Sequence, residues 1–280
     1  MTKKTRLIAG SLTCLLGVSH AAVVELWDFE DGTNGQAFTP AGDANGTGGS
    51  TGVSGTLMRG WNTEFGPSWT STTSANGGSF GMRAVNQDGY VTEGALHNWT
   101  SSSWTVELSV YFNDLSGWET MIGRDGSTIA ENESDFYFQR MGDGSGLFRL
   151  NYVDNDDNRW ILPSTTVPVT GTWYGMAAVV DGVAGTISLY LDDGSGYALE
   201  SQLTGLTGDL GIKDSGLNWT FSRGWYGGSF VDHTDATYDN IRFSDAALPT
   251  SELIAVNPVP EPAASALLVL GSLALLRRRR

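Results

Sequence analysis

The sequence predicts an all-β fold in which two antiparallel sheets pack face to face. Apolar and polar residues alternate along several segments, most clearly from Trp104 to Phe112, and this pattern is typical of strands with one buried face. The dipeptide Asp-Gly occurs six times and supplies the positive backbone angles that tight hairpins need. No amphipathic helix of normal length is evident. Packing two sheets together is the natural way to bury this many single apolar faces.

The strand predictions follow from this alternation. The segment 173–180 is apolar on both faces, which is typical of a central strand covered on each side. Residues 36–54 are mostly Gly, Ala, Thr and Ser and predict a surface loop, whereas residues 248–254 predict one short closing turn. The predicted strands are residues 23–29, 104–112, 135–140, 147–153, 159–162, 173–180, 186–191, 219–223 and 237–243.

The first 21 residues are typical of a secretory signal peptide. Cationic residues precede an apolar run at residues 7–18, and Ala21 ends a small-residue motif after which we expect cleavage. The apolar run is too short to span a bilayer. It contains Cys14, the only cysteine, so no disulfide is available to the mature chain. Residues 22–256 suit one β domain, since sandwiches of this length commonly form single domains.

Residues 257–280 form a distinct C-terminal segment. A proline-rich motif at residues 259–262 leads into fourteen uncharged residues, 263–276, and then four arginines, 277–280. As a short hydrophobic helix the apolar part would span about 21 Å, less than the roughly 30 Å hydrocarbon core, so we expect only transient membrane insertion. The arginines would stay on the cytoplasmic side. The processing motif comprises Pro260, Glu261 and Pro262.

This C-terminal segment resembles that of the PEP-CTERM class of bacterial proteins. The order of motif, apolar stretch and basic end is the same. The resemblance implies that an exosortase-type processing enzyme cuts near the motif and that the protein passes to the cell surface or an extracellular matrix. The alternative is a simple tail anchor of low hydrophobicity.

The net charge of the chain limits the classes of partner that it can bind. The whole sequence has a net charge of −15, and seven of its 16 Lys and Arg lie in the two end segments. The remaining nine against 31 Asp and Glu, with Glu261 of the C-terminal segment still counted, give −22. Such a surface repels phosphate backbones, which excludes nucleic acid as a partner. An acidic polysaccharide would also be a poor partner unless cations bridge it.

Five segments taken in order, residues 103–110, 117–126, 171–182, 185–192 and 238–248, resemble a second family. They are similar to the laminin-G-like domains of the concanavalin A-like lectin and glucanase superfamily, and the last resembles the final strand and closing turn of those domains. The resemblance implies a jelly roll that usually binds carbohydrate or protein ligands, and it does not imply catalysis.

Three functions remain open at this point. Non-catalytic carbohydrate binding is our main hypothesis, and a divergent glycoside hydrolase or a purely structural surface protein are the alternatives. Retaining glucanases of this superfamily place two carboxylates on one face of a strand, which Glu131, Glu133 and Asp135 approach in spacing. They precede an apolar strand, where a raised acid pKa is hard to maintain, so we assign no catalytic residue.

A structural Ca²⁺ site is predicted where the two ends of the domain meet. Asp239 alternates with Ile241 and Phe243, so we expect it to point inward, where a carboxylate needs a partner. Asp28, Glu30 and Asp31 end the first strand, which commonly neighbours the last strand in jelly rolls, and their oxygens, with loop carbonyls, suit Ca²⁺. The alternative is that these acids are hydrogen-bonded or exposed to solvent. Residues 232–235 could add a ligand or form an ordinary polar loop.

Three tryptophans are candidates for stacking on sugar rings. Flat aromatic side chains pack on the apolar face of a pyranose while nearby polar groups bind its hydroxyls. Trp61, Trp118 and Trp225 each follow a glycine, which indicates a loop position. Most tryptophans of a sandwich are in the core, so each of the three could also be structural.

Overall fold

The computed structural model describes residues 23–38, 67–74, 78–85, 96, 98–125 and 133–256, and the backbone alone at 44–45, 56–59 and 91–93. Ala21, Trp61, Glu131, Pro260, Glu261, Pro262 and both end segments lie outside these ranges. Among the described residues the only helical element is a turn of 3₁₀ helix at Thr250–Glu252, and none could cross a membrane.

The strands are short and joined mostly by tight turns. They are β1 Val23–Trp27, β2 Ala44–Asn45, β3 Thr56–Arg59, β4 Ser68–Thr70, β5 Gly81–Ala84, β6 Val91–Glu93, β7 Trp104–Phe112, β8 Glu119–Arg124, β9 Phe136–Arg140, β10 Phe148–Val153, β11 Arg159–Pro163, β12 Trp173–Asp181, β13 Thr186–Asp192, β14 Ala198–Leu203, β15 Trp219–Phe221, β16 Gly224–Tyr226, β17 Ser229–Val231 and β18 Ala236–Ser244.

Two antiparallel sheets form a sandwich, as predicted. The first sheet has the order β14-β13-β12-β7-β18-β5-β4, with β1 also paired to β18, and the second has the order β11-β10-β9-β8-β15-β6-β3-β2. The hairpin of β16 and β17 stands apart from both sheets. The prediction of an all-β, jelly-roll-type sandwich is therefore confirmed.

The core between the sheets is rich in aromatic side chains. Trp104 meets Tyr152 edge-on at 5.1 Å between ring centroids, and Trp219 meets Phe243 at 4.9 Å in a similar T-shaped arrangement. Such pairs stabilise the fold by about 0.5–1.5 kcal/mol each beyond the burial of their area. Because these four rings come from both sheets, they hold the sheets in register.

A bulge in β18 corrects one prediction. Asp239 lies opposite Ser109 on β7, whose neighbours Leu108 and Val110 face the core, so Asp239 faces away from the core. The register shifts before Arg242, and Asn240 adopts a positive φ of 51°. The expectation that Asp239 shares the inward face of Ile241 and Phe243 was therefore wrong, since a bulge reverses the alternation. Its side chain is nevertheless fully buried.

Residues 245–256, called the covering segment below, lie on the outer face of the first sheet. Leu248 and Leu253 pack on Ala177 and Val179 of β12, which alternate with core residues. The backbone amide of Val256 donates to Asp192 at 3.0 Å. This explains why β12 is buried on both faces, as its sequence predicts.

Several strands lack a sequence signal. β8 carries Glu119, Thr120 and Arg124 among its six residues, all of them buried, and no alternation marks it. β2 lies inside residues 36–54, which were predicted as loop throughout. The strands β14, β16 and β17 were also missed, because their polar residues and glycines are typical of loops.

Candidate functional site

A cavity of about 390 Å³ lies on the outer face of the second sheet. Tyr137 and Gln139 form its floor, and they alternate along β9 with Phe136 and Phe138, which are fully buried in the core. Because successive strand residues point to opposite faces, the floor residues point away from the core. The lining residues are Trp118, Glu133, Tyr137, Gln139, Arg149, Tyr226, Val231 and Asp232.

The β16–β17 hairpin forms one wall of this cavity. Its residue Tyr226 makes an isolated antiparallel bridge with Glu133, and the hydroxyl of Tyr137 donates to the carbonyl of Trp225. At the far end, the amide of Thr120 donates to the carbonyl of Asp232 at 2.8 Å. These bonds tie the hairpin to β8 and β9 along the length of the cavity.

A buried arginine supports the hairpin from below. Arg223 is 1% exposed, and its guanidinium binds both carboxylate oxygens of Asp125 at 2.6 and 3.0 Å. Its Cζ lies 3.9 Å from the ring centroid of Phe230 on β17. One of these contacts, from Nη2 to Oδ2, is a charge-assisted hydrogen bond, and such bonds are strong, so the ion pair helps to hold the hairpin in place.

Gln139 is the centre of a polar network on the floor. Its side-chain nitrogen donates to Oδ2 of Asp232 at 2.9 Å and to the hydroxyl of Thr120 at 3.0 Å. Its side-chain oxygen accepts a hydrogen bond from Nε of Arg149 at 2.9 Å. The Arg149 guanidinium stacks over Trp118, with Cζ 4.6 Å from the ring centroid. Every side chain in this network is therefore held in place by another.

Partial burial changes the ionisation of these groups. Loss of solvent raises the pKa of Asp232, and the nearby charge of Arg149 and the hydrogen bond from Gln139 oppose this only in part. Burial also raises the pKa of Tyr137 to about 12 and lowers the pKa of Arg149. At neutral pH Tyr137 is thus a neutral phenol, while Arg149 remains a cation.

The fold separates Glu133 from Asp135, two of the three carboxylates whose spacing approaches that of a glucanase pair. Glu133 lines the cavity with its side chain 39% exposed, and its Oε2 lies 3.3 Å from a guanidinium nitrogen of Arg159. Asp135 is fully buried and interacts electrostatically with Arg124. Glu131 lies outside the described residues. The alternating pattern therefore does not place Glu133 and Asp135 together in the cavity.

The structure places the candidate tryptophans differently from one another. Trp118 lines the cavity, whereas Trp225 contacts Phe230 edge-on at 5.4 Å and presents its neighbour Tyr226 to the cavity. Trp61 lies outside the described residues. Sequence reasoning missed Tyr137, Gln139 and Arg149. The sequence feature that could have indicated them is alternation: these residues alternate with buried phenylalanine and leucine along β9 and β10.

Two of the predicted Ca²⁺ ligands come close to each other. Glu30 accepts hydrogen bonds from the amides of Ser79 and Phe80 at 2.7 and 2.9 Å, and its charge contributes to raising the pKa of Asp239. Oδ2 of Asp239 accepts from the amide and hydroxyl of Ser74 at 3.0 and 3.2 Å. Its Oδ1 is buried without a hydrogen-bond partner in the described structure, and burial is the main reason that its pKa rises to about 7.

Asp28 takes a local role beside this pair. Its Oδ1 accepts from the amide of Glu30 at 3.3 Å, next to Phe29, which has a positive φ of 59°. Among the described residues, no three His, Cys, Asp or Glu side chains form a group that could hold a metal. The unpaired oxygen of Asp239 still fits a cation, provided that backbone carbonyls supply the other ligands.

The fold and the cavity together define a class of protein: a jelly-roll sandwich with an aromatic and polar cavity on one outer face. Residues 85–254 match the model of Laminin_G_3, described as the concanavalin A-like lectin/glucanases superfamily. The match spans more than half of the chain, so the chain belongs to this family. Comparison with curated proteins gives no match.

Solved structures with a similar fold come from several sources. Domain 4 of AbnA, a GH43 extracellular arabinanase from Geobacillus stearothermophilus in complex with arabinotriose, has 16% identity and a TM-score of 0.49, covering 83% of this chain and 97% of that one. The binding domain of botulinum neurotoxin serotype D/C has 10% identity and a TM-score of 0.50, covering 82% and 50%. The CBM40 of the Ruminococcus gnavus IT-sialidase, bound to α2,3 sialyllactose, has 13% identity and a TM-score of 0.45, covering 56% and 83%. At these identities the similarity concerns the fold alone.

Proposed function

We propose that this protein binds carbohydrate without catalysis through the cavity on the second sheet. The observation that carries the proposal is the combination of side chains there. The rings of Trp118, Tyr137 and Tyr226 line the same space as the hydrogen-bonding groups of Gln139 and Arg149. A site that binds small ligands typically has mostly apolar walls and a few well-placed polar groups.

The chemistry of sugars fits this combination. One face of a pyranose is apolar and packs against an aromatic ring, while its hydroxyls need both donors and acceptors. Tyr226 is 56% exposed, so its ring is available to a ligand at the wall. Arg149 supplies a hydrogen-bond donor and Asp232 an acceptor. Gln139 is hydrogen-bonded to both side chains and fixes their positions.

The positions of the carboxylates support binding rather than hydrolysis. Glu133 is paired with Arg159, and Asp232 is held by Gln139. Asp135 is buried outside the cavity lining. If a purified preparation hydrolyses a polysaccharide and Glu133→Gln abolishes that hydrolysis, the enzymatic alternative is correct and our proposal is wrong.

A glycan array followed by titration calorimetry tests the proposal. We expect Tyr226→Ala to weaken binding of each retained glycan about tenfold, which is about 1.4 kcal/mol, because the variant removes an exposed ring at the wall. Tyr111→Ala is the matched control, since the Tyr111 ring contacts the Trp173 ring at 5.6 Å on the first sheet, away from the cavity. Equal affinity in the two variants, or no binding of any glycan by the unmodified protein, would contradict the proposal.

We also propose a structural Ca²⁺ at Asp239 and Glu30, with Asp28 beside them. Supporting it is the unpaired, buried Oδ1 of Asp239 next to a second carboxylate. Calcium would join the residues that follow β1 to β18 at the bulge of β18. We expect 1 mM Ca²⁺, roughly 100 times a dissociation constant of 10 µM, to raise the free energy of unfolding by about 2.7 kcal/mol. Asp239→Asn should abolish this increase, and an unchanged increase would exclude the site.

The end segments support a proposal for location. Cleavage after Ala21 would export the chain, and an exosortase-type enzyme acting at Pro260, Glu261 and Pro262 would transfer it to the cell surface or matrix. Truncation of residues 260–280 should release the protein into the medium. If the truncated protein is found where the full chain is found, the sorting proposal is wrong.

A further inference from the structure

The charges around the cavity are balanced. Arg149 faces Asp232, and Glu133 is paired with Arg159 at 3.3 Å. The cavity therefore holds no excess positive charge that an anionic ligand would need, and the whole chain has a net charge of −15. A polyanion would be repelled by the surface and would find no unpaired cation in the site.

The unused hydrogen-bonding capacity is divided between two side chains. Gln139 accepts a hydrogen bond from Nε of Arg149 and donates one to Oδ2 of Asp232. In the part of the chain that the structure describes, the two Nη groups of Arg149 and the Oδ1 of Asp232 make no further hydrogen bond. One side of the floor therefore offers donors in a planar fork, and the other side offers an acceptor.

Hydroxyl groups match this arrangement better than any charged group. A hydroxyl donates one hydrogen bond and accepts others, so one hydroxyl can donate to Asp232 while its neighbour accepts from Arg149. A carboxylate has no proton to donate to Asp232 and would be repelled by it. Tyr226, which is 56% exposed at the wall, supplies apolar surface for the ring that carries the hydroxyls.

We infer that Arg149 and Asp232 recognise a pair of adjacent hydroxyl groups on an uncharged sugar. This inference rests on the proposed function and specifies its ligand class. Gln139 acts as a positioning residue, since it sets the separation of the two recognising side chains without needing to contact the sugar.

Titration with matched oligosaccharides tests the inference. The probes are neutral tetrasaccharides of glucose, mannose, galactose and xylose, and the corresponding galacturonate, mannuronate and glucuronate tetrasaccharides. We expect at least one neutral probe to bind and every uronate to bind at least tenfold more weakly. Asp232→Asn and Arg149→Met should each weaken binding of the neutral probe about tenfold. Asn suits position 232, where φ is 55°, because it tolerates this backbone conformation and keeps an acceptor for Gln139.

Controls separate this inference from the proposed function. Asp193→Asn, in an exposed turn of the first sheet, should leave binding unchanged. Thermal unfolding of each variant shows whether it is folded. Uronates that bind as tightly as neutral probes, or folded Asp232→Asn and Arg149→Met proteins with full affinity, would overturn the inference and leave glycan binding intact. Failure of every probe and every arrayed glycan to bind would overturn both.

Discussion

Glu107 of β7 forms an ion pair with Arg242 of β18, the residue opposite it in the sheet, beneath the covering segment of residues 245–256. The carboxylate also accepts a hydrogen bond from the amide of Ile254 at 2.8 Å, and the guanidinium donates to the carbonyl of Glu252 at 2.6 Å. The pair thus binds the covering segment to two central strands. Burial nevertheless raises the pKa of Glu107, although Arg242 and the amide of Ile254 oppose the shift.

This pair gives a prediction about stability. Glu107→Ala should lower the free energy of unfolding by about 3 kcal/mol, because it leaves Arg242 without its partner and releases the amide of Ile254. Lys213→Ala is the control, since Lys213 pairs with Asp157, whose side chain is 55% exposed, and loss of such a pair changes stability by less than about 1 kcal/mol. Urea unfolding measures both. Equal losses of unfolding free energy in the two variants would show that Glu107 does not stabilise the covering segment.

The pH dependence of stability follows from two other buried acids. Burial raises the pKa of Glu119 and of Asp239 to about 7, from ordinary values of 4.5 and 3.8. Between about pH 4 and 7 the folded chain therefore binds more protons than the unfolded chain, so the free energy of unfolding falls as pH rises through this range. For each of the two acids, this fall is at most about 1.4 kcal/mol per pH unit.

Unfolding in calcium-free buffer measures this slope. Asp239→Asn should make the slope between about pH 5 and 7 shallower, because one of the acids with a raised pKa is gone. Asp193→Asn should leave the slope in this range unchanged, because the pKa of Asp193 is lowered rather than raised. A slope that is the same in Asp239→Asn as in the unmodified protein would mean that Asp239 ionises normally in the folded state.

Gly224, the first residue of β16 in the hairpin, gives a prediction about binding. A Cβ at Gly224 would lie 2.7 Å from the hydroxyl oxygen of Thr120 and 3.2 Å from the Tyr137 ring, so Gly224→Ala must displace the wall of the cavity. We expect about a tenfold loss of glycan affinity. Gly175→Ala is matched in severity, with its Cβ 2.6 Å from the hydroxyl oxygen of Tyr197, but it lies on the first sheet. It should lower stability without changing the affinity of the folded protein.

Binding itself should depend on pH. The pKa of Asp232 is raised, mainly by burial, so its carboxylate becomes protonated at a higher pH than an ordinary aspartate. Affinity for a neutral glycan should therefore be full at neutral pH and fall as the pH drops through this raised pKa. Calorimetry between pH 7 and pH 4 measures the fall. Residual binding by Asp232→Asn should lack it, and an identical pH profile in that variant would assign the effect to another group.

Much of the fold could be predicted from local patterns, and the cavity could not. The bounds of β7 were predicted correctly because its alternation is regular from Trp104 to Phe112. β8 escaped prediction because Glu119 and Arg124 are buried by partners far away in the sequence. The orientation of Asp239 was wrong because a bulge at Asn240 leaves no mark on hydrophobic periodicity.

The cavity depends on which strands are neighbours. Gln139 and Arg149 are ten residues apart and meet because β9 and β10 pair in the register that sets them opposite each other. Asp232 reaches them only because the hairpin folds back over β8. A single sequence reveals aromatic and charged candidates such as Trp118, but pairing register decides which of them share a site.

The covering segment also determines how the domain is presented. Residues 245–256 run across the outer face of the first sheet, and the cavity opens on the outer face of the second, with the whole thickness of the sandwich between them. Val256, the last described residue of this segment, therefore lies on the side of the sandwich opposite the cavity. A domain held through Val256 would therefore point its cavity away from the point of attachment.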